Sequence, residues 1–213
     1  MEPTPILING LPGNICQTLV KTAMRDPRFR VVPFSMTGPG IEESRMEISS
    51  HTINLIQPEH HLSRLTQLRE AVPHLIAVDY THPTAVNRNA ELYCQAGLPF
   101  VMGTTGGERN LLMETVQRSD MVAVISPNMA KPIVGLQAMM QWAAKEFPGL
   151  FKGYRLQIME SHQKGKADTS GTAKAMVTYF NALGVPFDAS EIEMVRDPET
   201  QAKKLCVPES SIG

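Results

Sequence analysis

From Glu160 to Ala173 the chain reads Glu-Ser-His-Gln-Lys-Gly-Lys-Ala-Asp-Thr-Ser-Gly-Thr-Ala, which gathers a histidine, two lysines and a Ser-Gly-Thr helix start within fourteen positions. His162 is the side chain here whose ordinary pKa lets it give and take a proton near neutral pH. Lys166 adds a full positive charge. Ser170, Gly171 and Thr172 precede apolar residues at Ala173, Met176, Val177, Phe180 and Leu183, a helical spacing that leaves first-turn amides facing an anion. The combination fits a small dianionic substrate that must also exchange a proton. On the residues alone, Lys164 and Lys166 also read as a solvated loop pair, and Ser170 to Thr172 as a plain helix cap.

Two glycine-bearing loops carry a second kind of chemistry. Asn9-Gly10-Leu11-Pro12-Gly13-Asn14-Ile15-Cys16 follows an apolar run, as does Gly103-Thr104-Thr105-Gly106-Gly107. Gly10 and Gly13 let a turn tighten and bring backbone amides against a pyrophosphate at the positive end of the next helix. The dinucleotide fingerprint asks for a third small residue where Cys16 stands, so two of its three positions match. A glycine turn between any strand and helix explains the first loop equally well. The second loop tips the balance, because its hydroxyls and bare backbone fit a nicotinamide ribose or amide. Where NAD-specific chains place a carboxylate after the second strand, this one has Ser35, Met36, Thr37 and Gly38. Those hydroxyls and amides could accept a 2′-phosphate, so NADPH is favoured over NADH, with both left open.

The elements that must position these groups alternate. Ile6 to Ile8, Val31 to Phe34, Leu75 to Val78, Phe100 to Met102 and Met121 to Ile125 read as buried strands. Between them lie helical stripes at Ile15, Leu19, Val20 and Ala23; at Leu62, Leu65 and Leu68; at Val86, Ala90 and Tyr93; and at Leu111, Leu112 and Val116. This pattern predicts an α/β fold with a Rossmann-like, doubly wound parallel sheet that binds ligands at the carboxyl ends of its strands. Ser126-Pro127-Asn128-Met129 then breaks the pattern. The expected organisation is a dinucleotide-binding domain over 1–127 and a smaller α+β substrate-binding, catalytic domain over 128–213. In the second, a helix is predicted over Pro132 to Phe147 with Met139, Met140 and Trp142 as core, and strands over Tyr154 to Glu160 and Glu191 to Arg196.

Composition sets the limits. The 213 residues are 42% hydrophobic and 19% charged, with formal net charge −1, enough apolar material for a real core and no basic field for nucleic acid. No apolar run reaches the roughly 20 residues of a membrane span, so neither nucleic acid nor membrane is an expected partner. Cys16, Cys94 and Cys206 are odd in number and far apart, which fits reduced thiols and supports no disulfide framework or metal site. The first residues enter a strand at once, leaving no room for a leader, and the expected location is cytoplasmic, with a plastid origin after transit-peptide removal also open. The remaining histidines read as surface or core residues.

Asn-Gly-Leu-Pro-Gly from residue 9, Val-Asp-Tyr-Thr from 78, Val-Met-Gly-Thr-Thr-Gly-Gly from 101 and Ile-Ser-Pro-Asn-Met from 125 go together with Met-Glu-Ser-His-Gln from 159, Asp-Thr-Ser-Gly-Thr-Ala-Lys-Ala from 168 and Arg-Asp-Pro from 196. In these motifs the chain resembles the 4-hydroxy-tetrahydrodipicolinate (dihydrodipicolinate) reductases of lysine biosynthesis, nearer the plant-type branch. The resemblance implies NAD(P)H-dependent reduction of 4-hydroxy-tetrahydrodipicolinate to tetrahydrodipicolinate in the diaminopimelate route. It implies His162 as acid or base, Lys166 as proton donor, and Gly171 and Thr172, with Gln163 and Ser170, holding substrate. The cofactor would lie against Gly10, Leu11, Pro12, Gly13, Asn14 and Ile15, against Gly103, Thr104 and Thr105, and against Ser126, Pro127, Asn128 and Met129. Bacterial members carry a second histidine where Gln163 stands; plant-type members share the glutamine. Family members also continue past the point matching Gly213, so the second domain is expected to be incomplete, and a homo-oligomer is expected only of a full-length protein. The competing readings are a non-catalytic dinucleotide-binding relative and a reductase of another small dicarboxylate.

Overall fold

Alternation of side chains along β1 (Thr4–Asn9) explains how the first core is built: Ile6 and Ile8 enter one apolar cluster while Leu7, between them, enters another. The computed structural model describes residues 2–126, 128–162, 170–197 and 199–201. The chain falls into two compact units, 1–127 and 128–213.

In the first unit β1 leads through helix α1 (Asn14–Ala23) to β2 (Phe29–Val31), and further on come α2 (His61–Ala71), β6 (Ile76–Asp79), α3 (Val86–Ala96), β7 (Phe100–Met102), α4 (Arg109–Gln117) and β8 (Ala123–Ile125). Five strands form a parallel sheet in the order β2-β1-β6-β7-β8. After β2 the sheet grows on the other side of β1, so the order reverses between β1 and β6, where a doubly wound sheet opens a crevice at its strand ends. Leu7, Leu65, Ala77, Tyr93, Phe100 and Met102 pack on one face, and Ile6, Ile8, Leu11, Cys16, Val20 and Ile53 on the other. Gly97, in the left-handed region at φ 69°, ends α3.

The expected strand over Val31 to Phe34 is instead two strands in two sheets, β2 and β3 (Phe34–Met36). Pro33 has no N–H for a ladder, and the Phe34 amide bonds back to the Val32 carbonyl at 2.8 Å, turning the chain out of the first sheet. β3 pairs in parallel with β5 (His51–Ile56), which forms a hairpin with β4 (Arg45–Ile48). That hairpin has no counterpart in the periodicity reading: its turn is Ser49-Ser50, both at positive φ, with none of the Asn-Gly signals such turns normally show.

The second unit contains α5 (Lys131–Glu146), β9 (Met159–Ser161), α6 (Gly171–Ala182) and β10 (Glu193–Val195), with β9 and β10 paired in parallel. Ala173, Val177 and Ile192 form its buried cluster. The expected strand over Tyr154 to Glu160 is a strand only over Met159–Ser161, and the Tyr154 amide instead closes a turn on the Phe151 carbonyl. The Glu191 to Arg196 strand likewise shortens, its start taken by a capped turn at Ala189–Glu191. The reading of Met139 and Trp142 as core is corrected: they are 62% and 59% exposed, and no residue of α5 is buried.

Candidate functional site

The turn after β1 is held from three sides. Gly10 has φ 117°, and a Cβ there would sit 2.5 Å from the Tyr80 carbonyl oxygen and 2.9 Å from Cys16 Sγ. The Gly13 amide bonds the Gly10 carbonyl at 2.9 Å, and a side chain on Gly13 would press on that same oxygen. From β3 and the residue after it, the Met36 carbonyl accepts from the Gly10 amide (3.0 Å), Ser35 Oγ accepts from the Leu11 amide (3.2 Å), and Thr37 Oγ1 donates to the Leu11 carbonyl (2.8 Å). No side chain caps α1 behind Gly13, so its opening amides at Asn14 and Ile15 can bind an anion. Cys16 fills the fingerprint's third small position: fully buried, its thiol donates to the Asn9 carbonyl at 3.2 Å. Burial, and then the Asp79 charge, push that thiol up to about 12. Leu11 points into the core, leaving only its backbone for a ligand. Ser35 and Thr37 are buried as well, with hydroxyls committed to Leu11, so the hydroxyl support for a 2′-phosphate disappears.

The loop after β7 is tied to the end of β6. The Gly103 amide bonds the Asp79 carbonyl (3.0 Å), and a Cβ on Gly103 would land inside the Tyr80 ring. Thr104 Oγ1 donates to Asp79 Oδ1 at 2.9 Å, so this hydroxyl points inward and the loop presents its backbone and the exposed Thr105, Gly106 and Gly107. Asn87 clamps the far end with bonds of 2.7 and 2.8 Å to the Glu108 backbone, and Glu108 caps α4. The Ser126 amide bonds the Met102 carbonyl beside it. Asp79 and Tyr93 stand out only in three dimensions; their signal in the sequence was an acid closing an apolar strand.

In the second unit Glu160, on β9, is buried and organises the neighbourhood. Its Oε2 accepts from the Ser170 amide (2.9 Å), its Oε1 from Arg196 Nη2 (3.0 Å), and His162 Nδ1 lies 3.7 Å from the same Oε1. Burial pushes this carboxyl up, but the bonds from Ser170 and Arg196 and the nearby imidazole outweigh it and hold the group below its ordinary range. The His162 backbone is fixed from both sides: its amide bonds the Val195 carbonyl, and its carbonyl accepts from Gln201 Nε2 at 2.9 Å. Ser170 caps α6, its Oγ accepting from the Ala173 amide at 3.1 Å. Asn128 Nδ2 donates to Thr172 Oγ1 at 3.0 Å, and Asn128 Oδ1 accepts from the Ala130 amide. His162, Ser170 and the start of α6 thus share one carboxylate, which periodicity did not reveal. Pro127, Gln163 and Lys166 lie outside the described residues. The expected segment from Ser126 to Met129 divides, with Ser126 in the first unit and Asn128 and Met129 in the second.

Among the described residues no cluster of three or more His, Cys, Asp or Glu could hold a metal ion, and no helix is long and apolar enough to cross a membrane. A cavity of about 440 Å³ lined by Phe34, Ile56, His60 and Arg64 lies on the small sheet and contains none of the expected site residues.

Residues 4–129 match the family model described as dihydrodipicolinate reductase, N-terminus. The chain is 45% identical over 208 residues to 4-hydroxy-tetrahydrodipicolinate reductase 1, chloroplastic, of Arabidopsis thaliana, covering 98% of this chain and 60% of that protein. It is 44% identical to a probable chloroplastic counterpart in Oryza sativa subsp. japonica, covering 98% and 61%. The chain therefore spans about 60% of the length of these relatives. In structure it is similar to a dipicolinate-bound dihydrodipicolinate reductase from Paenisporosarcina sp. TG-14, with TM-score 0.62, 20% identity, and coverage of 91% of this chain and 78% of that one, a likeness of fold.

Proposed function

We propose, since this chain belongs to the dihydrodipicolinate reductase family, that it carries out the NAD(P)H-dependent reduction of 4-hydroxy-tetrahydrodipicolinate. The observation that carries this reading is the Glu160 carboxylate, which ties the His162 neighbourhood to the opening of α6. Gly171 and Thr172 offer first-turn amides to a substrate carboxylate beside the capping Ser170, and Lys166 supplies charge for the dianion. Loss of water from the hydroxylated ring leaves a conjugated imine, and hydride addition at the carbon that bore the hydroxyl leaves an enamine that needs a proton. His162 or Lys166 delivers it, a contribution of about 10²–10⁴ in rate for a positioned acid.

The residues fit a dinucleotide. The Gly10 turn admits no Cβ, and α1 opens without a side-chain cap, the two properties a pyrophosphate requires. A reduced nicotinamide, when bound, supplies the hydride. In this reading Gly10 to Ile15 hold the phosphates and Gly103 to Thr105 the nicotinamide end, with Ser126 to Met129 also assigned to the cofactor. NADPH is preferred over NADH because Ser35, Met36, Thr37 and Gly38 offer no carboxylate to a ribose. The free thiols of Cys16 and Cys94 fit a reducing compartment, cytoplasm or plastid.

The decisive assay supplies NADPH and freshly made dihydrodipicolinate synthase product to the protein and follows the loss of nicotinamide absorbance. Turnover is expected, and its absence from intact protein sinks the enzyme reading. His162→Ala and Lys166→Ala should each lower turnover far more than NADPH affinity; an equal loss of affinity would contradict the assigned roles.

A further inference from the structure

The two glycine loops of the first unit are joined by one buried chain of hydrogen bonds centred on Asp79. This residue ends β6 and is fully buried. Its Oδ1 accepts from the Thr81 amide (3.1 Å), Thr81 Oγ1 (2.9 Å) and Thr104 Oγ1 (2.9 Å); its Oδ2 accepts from Asn89 Nδ2 (2.9 Å) and the Tyr93 hydroxyl (2.7 Å). The Tyr93 hydroxyl in turn accepts from Asn9 Nδ2 at 3.0 Å, and Asn9 Oδ1 accepts from the Met36 amide at 2.8 Å. The Asn9 carbonyl receives the Tyr80 amide and the Cys16 thiol. Asn9 is the residue before the Gly10 turn, and Thr104 stands in the loop after β7. The ends of β1, β3, β6 and β7 are therefore connected through side chains.

All five donors to Asp79 are neutral, and no ion pair to it is recorded among the described residues. A carboxylate buried without a cation is a poor choice for stability alone. Its value here is geometric, because a carboxylate accepts at every position while a carboxamide must donate at one of its two ends. An amide at residue 79 would aim its N–H groups either at Thr81 and Thr104 or at Asn89 and Tyr93, and Asn89 Nδ2 and the Thr81 amide can only donate.

We propose that Asp79 is a positioning residue that sets the Thr104 loop against the Gly10 turn, so that a dinucleotide spanning both is held at its nicotinamide half. This rests on the cofactor reading above. In that reading the adenosine half meets the first turn and the end of β3, and the bonds of Gly10 and Leu11 to Ser35, Met36 and Thr37 do not pass through Asp79. The two halves of the cofactor should therefore respond differently.

The test is calorimetric titration of the 213-residue chain with NADPH and NADH and with their adenosine halves, 2′,5′-ADP and ADP-ribose. Asp79→Asn should weaken the preferred dinucleotide on the order of tenfold or more while its adenosine half changes by less than about twofold. Thr104→Val, which cuts only the link to the loop, should give the same split. Unchanged binding of both ligands in both variants overturns the proposal and leaves the cofactor reading standing. A parallel loss of both ligands with a lowered Tm also overturns it, because Asp79 would then only support the fold. Failure of the unsubstituted chain to bind any of the four ligands overturns the cofactor reading itself, and the proposal with it.

Discussion

Arg196 Nη2 lies 3.0 Å from Glu160 Oε1, and the two side chains are only 18% and 7% exposed. The same carboxylate accepts the Ser170 amide, so a single acid joins β9, the residue after β10 and the start of α6.

Glu160 should make the protein acid-sensitive in a defined direction. Its folded-state pKa lies below the ordinary 4.5: burial raises it, but the bonds from Ser170 and Arg196 more than reverse that. A depressed carboxyl stabilises the fold above its unfolded pKa, and that contribution is lost as pH falls through the folded value. Glu160→Gln should cost about 1–3 kcal/mol near neutral pH. Urea denaturation followed from about pH 6 down to pH 3 should show the two proteins converging as the wild type loses this contribution. A constant gap across that range would exclude the assignment.

Gly10→Ala should damage both fold and cofactor binding. The added methyl meets the Tyr80 carbonyl and Cys16 Sγ at a backbone φ of 117°, which costs about 2 kcal/mol or more. The expected loss in Tm is about 5 °C or more, accompanied by loss of NADPH binding in a direct titration.

Cys16 should be inert in the folded protein. With its thiol pushed up to about 12, first by burial and then by Asp79, almost no thiolate exists near neutral pH. Alkylation at about pH 8 followed by peptide mapping should label Cys94, which is partly exposed, and spare Cys16 until denaturant is added. A raised thiol pKa gives stability that is intact below the unfolded value of 9.0 and lost as pH climbs towards 12, so alkaline unfolding should begin in that window.

Ser170→Asp separates capping from substrate binding. Aspartate keeps the cap but stands beside the Glu160 carboxylate, so a modest loss of about 1 kcal/mol is expected. The new charge at the opening of α6 repels a dicarboxylate, and KM for it should rise roughly tenfold while NADPH affinity holds. Steady-state kinetics beside a thermal melt would distinguish this from general damage, which would lower Tm and raise both constants together.

Much of the first unit could be read from the chain, because buried parallel strands are apolar on both faces and their helices keep a clean 3.6-residue stripe. Ile6 to Ile8, Phe100 to Met102 and the stripe at Val86, Ala90 and Tyr93 all lie where periodicity put them. The small sheet was hidden for two reasons. Pro33 breaks an apolar run into strands of different sheets, and Ser49-Ser50 adopts positive φ without residues that announce it. Part of the site was visible too: Gly10 and Ser170 were legible because a tight turn and a helix cap demand particular residue types. Asp79, Tyr93, Asn9 and Glu160 were not, since their roles come from partners up to 84 positions away that no local pattern records. Trp142 looked like core because an aromatic at helical spacing is ordinarily buried, yet α5 leaves it outside.

The three bonds that Ser35, Met36 and Thr37 contribute to Gly10 and Leu11 bear on protein engineering. The shape of residues 10 to 13 is dictated partly by a segment 24 to 26 positions downstream, whose strand belongs to a different sheet. A chimera that imports this turn from a dehydrogenase without also importing residues 34 to 37 would carry the right glycines in the wrong mould. Recombination at this locus must move both pieces as one cassette.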